Sequence, residues 1–320
     1  MKTVALVSNE TKHAGKIWRN GEAVPWDEAT VHVRSVGHAS VSAVFEGIKA
    51  YWNPEQGELY VFRLREHMRR LHDSTRIVRL TNRFTVDELV HGAVGILRAN
   101  QTREDTYLRP WTFIEGIVYE QIAPADPPTE TVIDTWPFKS SMLQERGCRV
   151  CVSSWTRISD NACPPRVKAF ANYHNGRMGT IEAAASGYDW PVFLNDRGKV
   201  TEGPGACIGM VRNGSIITPN LSSGILESIT RDSILELVRT RLGNPVLERE
   251  VDRTELYVAD ELFYMGTGWE ILPILSVDGL AVGDGRMGPV SRAIDRAYHD
   301  VVRGLDSAYR HWLTPVWGTR

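Results

Sequence analysis

The chain has 320 residues, 42% apolar and 24% charged, with a formal net charge of −2, so it can bury a large core and form two domains of ordinary size. No basic stripe interleaved with aromatics is present, which excludes a general nucleic-acid binder, and no apolar run approaches the ~20 residues of a membrane helix. The N-terminal apolar patch is too short for a secretory leader and four cysteines suit a reducing compartment, so a cytoplasmic protein is expected.

In chain order, residues 17–63 read as strands and turns. Asn20-Gly21 turns a hairpin and LYVFRL (59–64) is a short strand. One helix is predicted over 65–78. A second, over 86–100, is opened by a capping box of Thr85 and Glu88, with Phe84 placed to staple Leu89. A strand at 106–118, a surface loop at 121–131 and a strand at 131–138 close a first domain, 1–138. Residues 139–147 read as a linker, and 148–320 as the second domain. There RGCRVCVSSW (146–155) is a strand, and two hairpins turn at Asp196-Arg197-Gly198 and Asn213-Gly214. A helix over 228–243, strands at 246–251 and 261–267, and an amphipathic helix over 289–305 follow. The mixture is α/β, with many antiparallel strands and no regular βαβ rhythm.

Two motifs resemble familiar sites without completing them. Cys148 and Cys151 form a C-x-x-C, but on a strand positions i and i+3 face opposite ways, and neither a second pair nor a histidine stands at zinc spacing. They read as buried cysteines. Gly283-x-Gly285-x-x-Gly288 follows a strand and precedes a helix, yet no second parallel strand follows to complete a dinucleotide fold. His67, His72 and His174 show no metal-ligand arrangement, so no metal is expected.

The informative stretch is KAFANYHNGRMG (168–179). Only seven of the 37 basic residues are lysines, and Lys168 stands beside Val167, Ala169 and Phe170. Arginine stays protonated and cannot form an imine; a lysine amine can be made nucleophilic. An imine-forming lysine points to pyridoxal phosphate. That cofactor needs an acid at its ring nitrogen, a helix N-terminus and a cation at its phosphate, and a donor at its phenolic oxygen.

The blocks VFEGIKAY (44–51), VFRLREHMRRLHDS (61–74), YLRPW (107–111), KAFANY (168–173), VTEG (200–203), ITRDS (229–233), ADELFYMGT (259–267) and GDGRMGPV (283–290) resemble the class IV, fold type IV, pyridoxal-phosphate aminotransferases, closest to the branched-chain group. The resemblance runs from about residue 17 to 303. It implies a two-domain fold, a smaller N-terminal α/β domain and a larger C-terminal domain with a barrel-like antiparallel sheet. It implies Lys168 as Schiff-base lysine and proton carrier, Tyr173 at the phenolic oxygen and Glu202 at the ring nitrogen. Arg70, the amides of Ile229 and Thr230, and the Thr267 hydroxyl would hold the phosphate. The substrate would meet Phe45, Tyr107, Arg109, Gly268 and Trp269, with Arg109 taking a distal carboxylate.

The implied partners are a hydrophobic L-amino acid donor and the acceptor 2-oxoglutarate, in a homodimer or higher homo-oligomer with ping-pong turnover. The substrate side departs from the branched-chain pattern at Ser40, where a tyrosine is usual nearby, at Phe138, and in Phe170, His174, Arg177 and GTGWE (266–270). Class IV enzymes acting on D-amino acids, amines, β-amino acids or a specialised intermediate therefore stay open, as does a non-catalytic binding protein on the same fold.

Overall fold

The computed structural model describes residues 13–116, 128–144 and 146–318. The chain divides into two units, Met1–Ser140 with His311–Arg320, and Ser141–Arg310.

The first unit begins with strands β1 (Lys16–Arg19) and β2 (Glu22–Pro25), turned by Asn20 and Gly21, both at positive φ (49° and 106°). Helix α1 (Val36–Ser42), β3 (Val44–Phe45), β4 (Ile48–Asn53) and β5 (Glu58–Phe62) follow. Strand β5 ends short of the expected Leu64 because Arg63 adopts a left-handed conformation and turns the chain into α2 (Leu64–Ile77). Helix α3 (Val86–Ala99) opens on the capping box read from the sequence: Thr85 Oγ1 accepts the Glu88 amide and Glu88 accepts the Thr85 amide. Apolar residues at helical spacing, Leu64, Met68 and Leu71 on α2 and Leu89, Ala93, Ile96 and Leu97 on α3, are buried with Tyr51, Leu59 and Ile133.

Strands β6 (Thr106–Ile114) and β7 (Thr129–Pro137) pair antiparallel along their whole lengths. The expected loop 121–131 falls partly outside the described residues; its last three residues belong to β7, where Glu130 and Thr131 pair with Phe113 and Thr112.

In the second unit come β8 (Cys148–Thr156), α4 (Tyr173–Ala185), β9 (Trp190–Leu194), β10 (Cys207–Arg212), β11 (Ser215–Thr218), α5 (Ile229–Leu237), β12 (Val246–Glu248), β13 (Glu261–Gly266), β14 (Glu270–Val277), β15 (Leu280–Ala281) and α6 (Pro289–Val302). Its strands run in the order β12-β11-β10-β13-β14-β8-β9, with β15 on β14. This sheet is mixed rather than antiparallel: β8 pairs parallel with both β9 and β14. The segment β8–α4–β9 is a βαβ crossover that the sequence reading did not find. Its helix lacks an apolar stripe; the buried positions of α4 are Gly176, Gly179 and Ala183. Gly176 and Gly179 are required, because a Cβ at Gly176 would lie 2.9 Å from the Pro204 carbonyl and one at Gly179 2.4 Å from the Phe193 ring. The expected helix over 228–243 is α5 followed by a wider turn over 238–242, stopped at Gly243 with φ 72°.

The dinucleotide-like glycines have a structural explanation. A Cβ at Gly283 would meet the Asp260 carbonyl at 2.6 Å, and Gly288 caps α6. The N-terminus of α6 is filled by the protein's own carboxylate, with Glu261 accepting the amides of Val290 (2.9 Å) and Ser291 (2.7 Å). Cys148 and Cys151 are buried free thiols, raised to about 12 and about 11 chiefly by burial. No helix among the described residues is long and apolar enough to cross a membrane.

The sequence reading placed the whole of 148–320 in the second domain. The last segment instead belongs to the first unit, where β16 (Leu313–Pro315) pairs with β5 and the buried Glu58 accepts the amides of Val316 (3.0 Å) and Trp317 (2.7 Å). Ser141 to Gly147, expected as linker, likewise belongs to the second unit: Ser141 donates its amide and hydroxyl to Glu270 (2.8 and 2.9 Å). Charge-assisted hydrogen bonds of this kind contribute ~1.5–3 kcal/mol each. Replacing Glu58 with Ala is therefore expected to lower the melting temperature by several degrees and open a proteolytic site before β16. Limited proteolysis with mass spectrometry checks this.

Candidate active site

Lys168 lies in the crossover from β8 to α4, the kind of strand-to-helix connection where α/β sheets place ligands. Three contacts shape this connection. Val167 donates its amide to the Pro164 carbonyl (3.0 Å), and the buried Asn172 side chain donates to the carbonyls of Pro164 (3.1 Å) and Val167 (2.9 Å). A short 3₁₀ turn, Phe170–Asn172, then runs directly into α4. The result is a lysine only 9% exposed whose Nζ is 2.7 Å from the hydroxyl of Tyr173, the first residue of α4. The two sequence-predicted groups are thus brought into hydrogen-bond contact.

Glu202 is also buried, beside an isolated bridge to Cys207. Its Oε1 accepts from Arg157 Nη2 at 2.6 Å; its Oε2 faces the Cys207 thiol (3.6 Å) and the Leu226 amide (3.3 Å). Arg157 reaches back to Asn175 Oδ1 (3.4 Å) on the first turn of α4, whose own amide nitrogen donates to the Thr156 carbonyl (3.0 Å). Lysine, tyrosine and carboxylate are therefore tied to one helical turn.

Leu226 leads into α5. The cap of that helix is Ser228, whose Oγ accepts the Arg231 amide (3.2 Å) and whose carbonyl accepts that of Asp232 (3.0 Å). The first two helical amides, Ile229 and Thr230, have no intrahelical acceptor, which makes this end suited to an anion. Arg231 anchors the helix from below, donating to Thr218 Oγ1 (3.2 Å), the Pro219 carbonyl (3.0 Å) and Glu248 (2.8 Å). Thr230 Oγ1 is 3.4 Å from Thr267 Oγ1, so the structure brings these two residues together and adds a Thr230 hydroxyl to the amide that was expected there. A Cβ at the neighbouring Gly268 would meet nothing within 4 Å, leaving room beside them.

Trp269 follows Gly268. Its ring packs on Trp190 (4.7 Å between centroids) and Tyr264 (5.1 Å), against the apolar core of the second unit. The 267–269 turn also offers a ligand its backbone and the Thr267 hydroxyl.

The remaining predicted residues lie in the first unit. Arg70 spends two nitrogens on the fully buried Glu46, Nε at 2.7 Å and one Nη at 2.8 Å, and His67 Nδ1 sits 2.7 Å from the same carboxylate. Burial pushes the Glu46 carboxyl up, but Arg70 and then His67 more than offset this and hold it well below the ordinary range. The Arg109 guanidinium lies over the rings of Trp136 (4.7 Å) and Phe45 (5.8 Å). Tyr107 stacks on Trp136 with centroids 4.9 Å apart. Phe45, Tyr107 and Arg109 therefore form one cluster, and Trp136 completes it.

The sequence reading missed Arg157, Asn172, Glu46 and Trp136. It also missed Lys49, buried to 2%, whose flanks in GIKAY are as apolar as those of Lys168. Apolar flanks mark a buried lysine but do not distinguish these two. The others carried no local signal, since each acts through contacts that only the folded chain brings together.

A carboxylate held low when folded contributes stability above the ordinary value of 4.5 and loses it as the pH falls below that value. Acid unfolding should therefore steepen below that point, and Glu46→Gln should flatten this limb. At neutral pH the same change should cost ~3–5 kcal/mol, because it removes the negative charge from a buried ion pair with Arg70. Denaturant titrations across pH test both signs.

With this geometry in view, the comparisons with known proteins are specific. The amino-transferase class IV family model matches residues 43–277. The branched-chain-amino-acid aminotransferase of Escherichia coli (strain K12) is 38% identical over 309 residues, 96% of this chain and 99% of that protein. The crystal structure of branched-chain amino acid aminotransferase from Thermobaculum terrenum in its PLP form superposes with TM-score 0.92 at 46% identity, covering 96% of this chain and 99% of that one. A branched-chain amino acid aminotransferase from T.th., complexed with N-(5'-phosphopyridoxyl)-L-glutamate, superposes with TM-score 0.87 at 34% identity, covering 95% and 99%.

Proposed function

The chain belongs to the class IV aminotransferases, pyridoxal-phosphate enzymes that act on small amino and oxo acids, and from that footing we propose that it moves the amino group of a hydrophobic, branched-chain-like L-amino acid to 2-oxoglutarate. The observation that carries the reading is the 2.7 Å contact of the buried Lys168 Nζ with Tyr173, one helical turn from the network around Glu202.

The donor set fits the cofactor: a buried amine with a hydroxyl beside it, a carboxylate held by an arginine, and two unpaired amides with two threonine hydroxyls at a helix N-terminus. When bound, pyridoxal phosphate supplies the carbonyl that takes the amino group and a ring that withdraws electrons from the substrate Cα. Ile229, Thr230 and Thr267 would hold its phosphate, and Arg70 would add charge there. Glu202 would hold the proton on the ring nitrogen. Tyr173 would donate to the phenolic oxygen and orient the lysine. The Lys168 amine would take up the substrate Cα proton and return it on the other side of the transfer. The same residues would serve both half-reactions, the first product leaving before the second substrate binds, in ping-pong order.

The substrate reading rests on the relatives and on the first unit's aromatic cluster of Phe45, Tyr107 and Trp136, apolar surface for a hydrophobic side chain. The phosphopyridoxyl-L-glutamate held by the T.th. relative supports glutamate and 2-oxoglutarate as the second pair, with Arg109 for the distal carboxylate. A homodimer is part of the same proposal, because Val31 (47%), Val33 (79%), Val36 (46%) and Val41 (68%) form a run of exposed valines that a second copy would cover.

The purified protein with pyridoxal phosphate should show a visible cofactor band that L-leucine bleaches and 2-oxoglutarate restores, with the band missing in Lys168→Ala. Bleaching by D-alanine or a chiral amine alone would overturn the L-specific reading, and no band at all would overturn the enzyme reading. Light scattering should report about twice the chain mass, and Val33→Asp with Val41→Asp should halve it.

A further inference from the structure

The carboxylate of Glu202 is gripped asymmetrically. One oxygen takes a charged hydrogen bond at 2.6 Å from a guanidinium whose side chain is only 9% exposed. The other has two weak donors: a thiol at 3.6 Å and an amide at 3.3 Å, the latter at the long end of hydrogen-bond distances. Burial, and secondarily the charge of Glu202, push the Cys207 thiol up, so it stays a neutral donor. One oxygen is held firmly by a charged donor, and the other only by two long contacts that a stronger N–H would outcompete.

Arg157 is itself fixed by β8 and α4. It follows the last residue of β8, its amide donates to the Leu194 carbonyl (2.8 Å), and its Nη1 faces Asn175 Oδ1 (3.4 Å). Asn175 sits two residues after Tyr173 on α4. Helix α4 in turn lies directly on the turn after Glu202, since a methyl added at Gly176 would come within 2.9 Å of the Pro204 carbonyl. A rigid path thus runs from the lysine's hydroxyl partner to the carboxylate.

We infer that Arg157, supported by Asn175 and α4, is a positioning residue. It fixes Oε1 of Glu202 with a charged hydrogen bond and so turns the weakly held Oε2 toward the ring nitrogen of pyridoxal phosphate, in register with Lys168 and Tyr173. The inference rests on the reading above that Glu202 meets that nitrogen. A lysine at 157 would keep the charge but lose the planar fork that spans Asn175 and Glu202 together. Charge compensation alone and positioning therefore give different results.

The test compares Arg157→Gln, Arg157→Lys, Asn175→Ala and Glu202→Gln, each as full chain titrated with pyridoxal phosphate. The readouts are the cofactor dissociation constant, the pH dependence of the visible band, and the melting temperature of the cofactor-free protein. Arg157→Gln should weaken cofactor binding about tenfold or more, the worth of a buried hydrogen bond to a charged group, and displace the pH titration of the band. Arg157→Lys should melt near the parent protein yet still displace the titration, and Asn175→Ala should displace it less, in the same direction. Should Arg157→Gln fail to fold, the lysine variant decides. Parental titrations and affinities in Arg157→Lys and Asn175→Ala, with both changed in Glu202→Gln, would overturn the positioning role alone. Parental behaviour of Glu202→Gln would overturn the placement of Glu202, and the inference with it.

Discussion

Helix α4 lies close against the Gly203-Pro204-Gly205 turn, and the second unit's candidate site depends on that approach. Gly176 makes it possible: a methyl there would press on the Pro204 carbonyl at 2.9 Å. This close approach puts the first turn of α4 beside Glu202. Tyr173 can then face Lys168 while Asn175 faces Arg157. A helix packed through large side chains would stand several ångströms further out, beyond hydrogen-bond reach of the carboxylate network.

The two units solve one electrostatic problem in the same way. Each buries a carboxylate, Glu46 in the first and Glu202 in the second, and each compensates it with an arginine at 2.6–2.7 Å. Neither pair is a strong source of net stability, because desolvation takes back most of the Coulomb attraction. Their value is geometric. A paired buried charge has one low-energy arrangement, so Arg70 and Glu202 are presented in fixed orientations. The aromatic cluster of the first unit adds a third fixed cation, with Arg109 lying over Trp136 and Phe45.

Where local rules govern, the sequence was legible. The Asn20-Gly21 and Asn213-Gly214 hairpins need positive φ, and those residues supply it cheaply. The Thr85–Glu88 box is a contact over three residues. The family was legible from blocks of adjacent residues, and with it the cofactor. Helix α4 was not, because it buries glycines and an alanine instead of an apolar stripe. The mixed sheet followed from it, since the parallel pairing of β8 and β9 requires that crossover. The packing of the Trp269 ring on Trp190 and Tyr264 was not legible either, because it joins residues from three separate strands and turns.

The sequence by itself determined the class IV membership and singled out the groups for its chemistry: a lysine of a type that can form an imine, and a helix N-terminus of a type that suits an anion. Side-chain identity and short spacing carry that information. Tertiary structure alone decided which partners hold each group. Arg157 meets Glu202 across 45 residues, Arg70 meets Glu46 across 24, and Val316, just after β16, returns to Glu58 across 258. Such pairings depend on how strands register and helices approach, and the energy of a buried contact is set by that approach rather than by distance along the chain.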